Sequence, residues 1–302
     1  MLVYKWMEEI QIQKGYNRLC IYDLPRKEYF FADLSISNLI KKIEGKAFNK
    51  VKLNKEEKQW LSFFENKEYI FKVPSTTYKN FSKINLEWQT PNYITNLILD
   101  EDVLKNKHKF ELLECLICKH LSIIVKTPKT ISKIIKNHFT ETSYQSVEFI
   151  VFKPNNNEKL INDLSINNPI ISNIFILDTN NTVKLSSNSS LGKVIKIKKM
   201  FSSLPNFIVN LKLYTESLKF NPYFNRKIYI GKKGEIKNSY ESSEILGNLF
   251  DIESKDELLS LIETANFQKL WHTSKEKCDV CKDCECRSMC LDNRLPHQRN
   301  KN

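Results

Sequence analysis

Five of the chain's eight cysteines fall in one short run, Cys278-Asp-Val-Cys281-Lys-Asp-Cys284-Glu-Cys286-Arg-Ser-Met-Cys290. Two overlapping C-x-x-C steps followed by a cysteine six positions on suit a thiolate site for zinc or an iron–sulfur cluster. Cys281, Cys284 and Cys290 supply three thiolates, and Cys278 is the fourth, with Cys286, Asp292 and His297 as alternatives. Four thiolates in a compact loop suit tetrahedral zinc at ~2.3 Å and equally suit a 4Fe–4S cluster, so spacing leaves the metal open. Lys277, Lys282 and Arg287 stand beside the cysteines and are expected to lower the thiol pKa values. A metal held this way would contribute on the order of 10 kcal/mol to folding of so apolar-poor a tail. A tail without metal is the competing reading.

Other candidate groups carry less. Cys115 and Cys118 lie three apart in an apolar helical pattern with Leu112, Leu113, Leu116 and Ile117, which is the pattern of buried structural thiols. Cys20 reads as core. His108, His120 and His138 lack ligand spacing, and His272 reads as a surface residue near the cysteine run. Gly231-Lys-Lys-Gly234 lacks the spacing of a phosphate loop and reads as a hairpin turn. Glu56–Glu57 and Asp100–Asp102 read as helix starts. No nucleophile stands with a base.

The elements that must position these groups follow from periodicity. Arg18–Asp23 and Lys27–Ala32 flank a turn and predict a hairpin. Helical patterns follow at Ser37–Glu44 and Asn54–Asn66, with Asn54 as cap, and a strand at Glu68–Val73. Pro74 to Pro91 is an irregular connector. Apolar strands at Tyr93–Leu99, Leu121–Lys126, Val147–Lys153, Asn173–Asp178 and Val194–Lys199 alternate with helices at Lys107–Lys119, Thr130–Phe139 and Asn156–Leu164, and a further strand is expected at Phe207–Tyr214. That alternation predicts an α/β fold with parallel βαβ units, as a layer or a partial barrel. Lys227–Gly231 and Glu235–Asn238 predict a second hairpin, followed by helices at Asp256–Thr264 and Phe267–Trp271.

At 302 residues, 41% hydrophobic and 27% charged, the composition is globular. The start lacks the apolar region of a signal peptide, and no run approaches the ~20 apolar residues of a membrane span, so a cytoplasmic protein with no membrane partner and reduced thiols is expected. The formal charge of +12 is spread along the chain, and the densest run, Lys193–Lys199, alternates like a strand with a solvated lysine face. Nucleic acid is therefore not the expected partner, and an acidic peptide suits the charge as well.

Asn221-Pro-Tyr-Phe-Asn-Arg-Lys-Ile-Tyr-Ile, Gly234-Glu-Ile-Lys-Asn, Gly247-Asn-Leu, Phe267-Gln-Lys-Leu-Trp-His and Cys281-Lys-Asp-Cys-Glu through Cys290-x-Asp-Asn-Arg-Leu-Pro follow in an order that resembles the C-terminal SPASM domain. The match is closest to the SPASM-domain peptide maturases of grasp-with-spasm systems, and Leu86–Asp100 is similar to that family too. The resemblance implies a partner ATP-grasp ligase and a ribosomally made precursor peptide. It implies a partial, degenerate (β/α) barrel over 74–218, a winged-helix-like peptide-recognition module over 1–73 and a Cys-rich SPASM-like domain over 219–302. The sequence departs from the radical enzymes related to this family. After Tyr93–Leu99 comes Asp100-Glu-Asp-Val in place of C-x3-C-x2-C, so no radical chemistry and no S-adenosylmethionine are expected. Ser239 and Arg294 replace cysteines of the SPASM pattern, and only the central C-x2-C-x5-C of Cys281, Cys284 and Cys290 is intact.

The resulting expectation is an accessory protein that binds a precursor peptide or presents it to the ligase. Strand addition to the N-terminal hairpin would use Arg18, Cys20, Tyr22, Tyr29 and Phe31. The alternatives are a thiol-dependent modifying enzyme using a C-terminal cysteine, Cys286 or another exposed thiol, and a zinc-stabilised nucleic-acid binder.

Overall fold

A computed structural model describes residues 1–140, 143–152, 158–177, 194–197 and 207–296. Chain order opens with β1 (Leu2–Trp6), β2 (Ile10–Lys14), β3 (Leu19–Asp23) and β4 (Glu28–Ala32), then α1 (Ile36–Ile43), α2 (Lys55–Asn66) and β5 (Ile70–Pro74). β1 pairs antiparallel with β5, and β2, β3 and β4 form a separate antiparallel meander. The expected hairpin is β3–β4; β1 and β2 were not legible in the sequence. Asn54 caps α2 as expected, accepting from the Glu57 amide at 2.8 Å while Glu57 reaches back to the Asn54 amide at 2.8 Å. Tyr4, Trp6, Leu19, Ile21, Ile36, Leu39, Phe64 and Tyr69 form the core between these strands and helices.

The larger unit runs through β6 (Asn96–Asp100), α3 (Lys107–Leu112), β7 (His120–Val125), α4 (Pro128–His138), β8 (Ser146–Val151), α5 (Glu158–Asn167), β9 (Ile171–Leu177), β10 (Val194–Ile197) and α6 (Leu211–Ser217). β11 (Lys227–Ile230), β12 (Glu235–Lys237), β13 (Gly247–Asn248), α7 (Lys255–Glu263) and α8 (Ala265–Gln268) follow. The fold is α/β, with an eight-stranded, mostly parallel sheet ordered β10-β9-β8-β7-β6-β11-β12-β13. β11 lies parallel to β6, with Lys227 beside Asn96 and Tyr229 beside Ile98, and turns back antiparallel into β12. Leu97, Leu99, Ile123, Phe149, Ile174 and Ile228 form one buried face with Ile131, Ile161, Leu258 and Phe267 of the helices. A single core therefore crosses residue 219, and β11 completes a sheet begun by β6. The opposite face carries a smaller cluster of Ile98, Ile124, Ile150 and Tyr229.

Two expectations are corrected. Phe207–Tyr214 is not a strand: beyond a single bridge from Phe207 to Cys290, Asn210 caps α6 by accepting from the Leu213 amide at 2.8 Å. The helix expected over Lys107–Lys119 stops early, because Ile117 takes φ 51° in the left-handed region after a tight 3-10 turn. Cys118 then lies outside any helix, buried, with its thiol 3.0 Å from the His120 carbonyl.

Candidate functional site

The cysteine run is built from turns. Lys282 donates its amide to the Cys278 carbonyl at 2.9 Å and Cys284 to Cys281 at 3.0 Å, which curls the first C-x-x-C steps. The Cys286 amide points at Cys284 Sγ, 3.4 Å away. Cys278, Cys286 and Cys290 are buried; Cys281 and Cys284 are half-buried, and all are free thiols. Cys278, Cys281, Cys284 and Cys290 share a neighbourhood, since the Cys290 thiol lies in the electrostatic reach of Cys281 and Cys284, and Cys278 in that of Cys281. Among the described residues, however, no three Cys, His, Asp or Glu side chains are set as a donor group for one ion. The side chains as they stand do not fit a closed zinc or cluster site.

Of the alternative ligands, Cys286 is buried in an apolar cluster with its thiol within reach of Cys284, and His297 lies outside the described residues. Asp292 is already occupied. Burial works to raise its carboxyl, but the Arg294 guanidinium at 2.8 Å holds it below the usual range. The expectation about thiol acidity is also corrected. Burial pushes the thiols of Cys278 and Cys290 up, and the cation opposing it is the buried Lys275. Lys282 instead pairs with Asp279 at 3.3 Å, Arg287 with Glu276 at 2.5 Å, and Lys277 donates to the His272 carbonyl at 2.9 Å.

The residues named for peptide recognition meet this tail. β3 presents Leu19 and Ile21 to the helices, and alternation turns Cys20 and Tyr22 to the other face. There they pack with Cys286, Met289, Val209 and Tyr214, both fully buried. The Tyr22 hydroxyl donates to the Glu285 carbonyl at 2.5 Å, the Tyr16 amide to Asp283 at 2.9 Å, and Arg287 to the Lys14 carbonyl at 2.9 Å. Arg18 forms an ion pair with Glu285. Gly15 allows this approach, since a Cβ there would stand 2.8 Å from the Glu285 amide nitrogen. Burial lifts the Cys286 thiol to about 12, and Cys20 likewise, so neither offers the accessible thiolate that nucleophilic chemistry requires.

Tyr29 and Phe31 continue the same face outward. In register they stand beside Tyr22 and Cys20, but they lie past the tail and are 39% and 37% exposed. Their rings meet edge-on at 5.6 Å, Phe207 adds a third ring 6.4 Å from Tyr29, and the Arg18 guanidinium lies 3.5 Å over Phe31. β4 ends its sheet, and among the described residues its outer edge has no paired strand. Phe207, missed at the sequence level, joins this patch because its backbone bridges Cys290 and Ile208 donates to Met289 at 2.9 Å.

At the C-terminal ends of β6, β7 and β8, Asp100, Glu101, Lys126 and Phe152 line a depression. Its carboxylates are balanced by lysines, with Asp102 3.4 Å from Lys126 and 3.8 Å from Lys232. Cys115 and Cys118 do not line it. Among the described residues no helix is long and apolar enough to cross a membrane. Comparison with protein-family models, curated proteins and solved structures gave no match.

Proposed function

We propose that this chain is a peptide-binding accessory protein, a SPASM-domain component of a grasp-with-spasm maturation system that presents a ribosomally made precursor peptide to an ATP-grasp ligase. The observation that carries the reading is the β4 edge, which combines an unpaired backbone among the described residues with Tyr29, Phe31 and Phe207 on one side. An extended peptide gains main-chain hydrogen bonds from such an edge and side-chain contacts from alternate positions. The occupant is an acidic extended segment, because Arg18 overlies the aromatic patch and the chain carries a net charge of +12. In this reading the tail acts as a clasp that fixes β3, and a zinc ion or 4Fe–4S cluster at Cys278, Cys281, Cys284 and Cys290 would form only after those side chains rotate. No step is routed through S-adenosylmethionine. The protein belongs in the cytoplasm beside its ligase.

The test is co-purification of the full chain with the ligase and precursor peptide encoded beside it. Retention of the peptide by the native chain, and its loss from Phe31→Ala, supports the reading. Absence of association with both partners removes it.

A further inference from the structure

Glu101 follows β6, and its amide extends the ladder to the Ile124 carbonyl of β7 at 2.9 Å. Alternation with Leu97 and Leu99, both in the main core, turns its side chain toward the helical layer. There it reaches a cleft of about 590 Å³ between α4 and the segment that carries Leu104, Lys105 and Lys107. Leu104 and Ile134, both core residues, give the cleft an apolar floor. The cleft follows one face of α4 from Thr130 to His138, a rise of about 12 Å. β7 leads directly into α4, which puts Thr130 at the Glu101 end. The Glu101 side chain is 11% exposed; Oε1 faces Lys126 at 3.8 Å, while Oε2 is buried and has no hydrogen-bond partner among the described residues. A buried carboxylate oxygen left unfilled is costly and calls for a donor. Farther along α4 the lining is cationic. Lys107 stands near His138, whose ring meets Phe110 of α3 at 5.4 Å. Lys107 has only the exposed Glu111, 3.6 Å away, and Lys133 makes no ion pair among the described residues.

We propose that this cleft binds a hydroxyl-bearing phosphate monoester, the chemistry shared by sugar phosphates and nucleoside monophosphates. A ligand hydroxyl donates to Glu101 Oε2 and fills the orphaned acceptor. The phosphate lies toward the other end, where Lys107 and Lys133 act as point charges and the Asn137 amide donates to a phosphate oxygen. A carboxylate at one end and lysines at the other favour a ligand that is neutral and donating at its first end and anionic at its second, which a plain anion is not. Burial and Lys107 hold the His138 ring below its usual pKa, so it lines the cleft as a neutral ring at pH 7. The volume falls within the ~300–1,000 Å³ of small-molecule sites. The Glu101 end lies at the carboxyl ends of β6 and β7, the edge at which parallel sheets present ligand-binding groups. This cleft shares no residue with the β4 edge and does not depend on the peptide reading above.

The experiment is calorimetric titration of the full chain with ribose 5-phosphate, adenosine monophosphate, ribose and inorganic phosphate. The esters are expected to bind about tenfold or more tightly than ribose or inorganic phosphate, because only they fill both ends. Glu101→Gln should remove the advantage of ribose 5-phosphate over inorganic phosphate. Lys133→Met, at an exposed position, should weaken both esters several-fold and flatten their loss of affinity with added salt, at an unchanged melting temperature. If adenosine monophosphate binds more tightly than ribose 5-phosphate, the ligand is a nucleotide; equal or weaker binding marks a sugar phosphate. Histidine ring NMR on the native chain supplies a readout that needs no variant: the His138 signals should shift with the esters and not with ribose. Binding of neither ester, equal affinity for esters and inorganic phosphate, or ester affinity unchanged in both variants overturns the proposal.

Discussion

The hydroxyl of Tyr22 donates to the main-chain carbonyl of Glu285 at 2.5 Å, tying the central strand of the N-terminal meander to the cysteine-rich tail. The tyrosine is fully buried and its ring packs against Tyr214 at 5.6 Å, so the bond is partly shielded from water. Removing the hydroxyl leaves a partly buried carbonyl short of a donor, at a cost of about 1–2 kcal/mol. Tyr22→Phe should lower the urea midpoint accordingly with little change in slope.

Gly15 tests the same clasp from the backbone. A methyl group there collides with the main chain of Glu285, which cannot swing aside as a side chain would. Gly15→Ala should cost about 1–3 kcal/mol. It should also make the tail more sensitive to limited proteolysis than the native chain, while a cut pattern identical to native would argue against the clasp.

At the β4 edge, Tyr29 and Phe31 are partly exposed and contribute little to the core. Tyr29→Ala and Phe31→Ala should therefore leave thermal stability nearly unchanged, within ~1 kcal/mol. Peptide affinity, measured by fluorescence anisotropy with a labelled acidic peptide, should fall about tenfold or more.

The metal question is answered by elemental analysis and a visible spectrum on anaerobically purified protein. If side-chain rotation allows a site, iron with sulfide or zinc appears at about one site per chain, and Cys281→Ser or Cys284→Ser removes it. In that case a chelator lowers the melting temperature of the native chain and not of the serine variants. Protein without metal, with an unchanged melting temperature in chelator, would leave the tail held by its protein contacts alone, those of Tyr16, Arg18, Tyr22 and Arg287 among them.

Glu216 predicts a pH dependence. Burial raises its carboxyl from 4.5 to about 7. A carboxyl raised in the folded state binds its proton more tightly there, so its contribution is fully present below 4.5 and is lost as pH rises through 7. The loss amounts to about 3 kcal/mol at most. Glu216→Gln should flatten the stability profile between these values while keeping a hydrogen bond to Asn225.

Local order was legible from the residues alone. The Asn54 cap, the alternating strands from Leu97 to Ile176 and the glycine-containing turn after Ile230 all arise from spacing and side-chain chemistry within a few positions. Those signals gave an α/β chain and a turn-rich, cysteine-dense tail. The Asn210 cap was overlooked because the apolar residues around it mimic a strand, and the short alternation of β2, Ile10–Lys14, was missed as well.

Long-range placement was decided only by the tertiary structure. Nothing near Lys227 in the sequence says that it lies beside Asn96, nor that its side chain is buried with the ammonium over the Tyr223 ring. Likewise Cys20 and Cys286 share a cluster because alternation in β3 and the curl of the tail happen to aim both inward, while Tyr29 and Phe31 on the neighbouring strand project past the tail. Propensity and periodicity act over one turn or one hairpin, so they fix element types. Which faces meet, which thiols are buried and which edge stays open depend on packing between segments hundreds of residues apart, whose outcome no local pattern encodes.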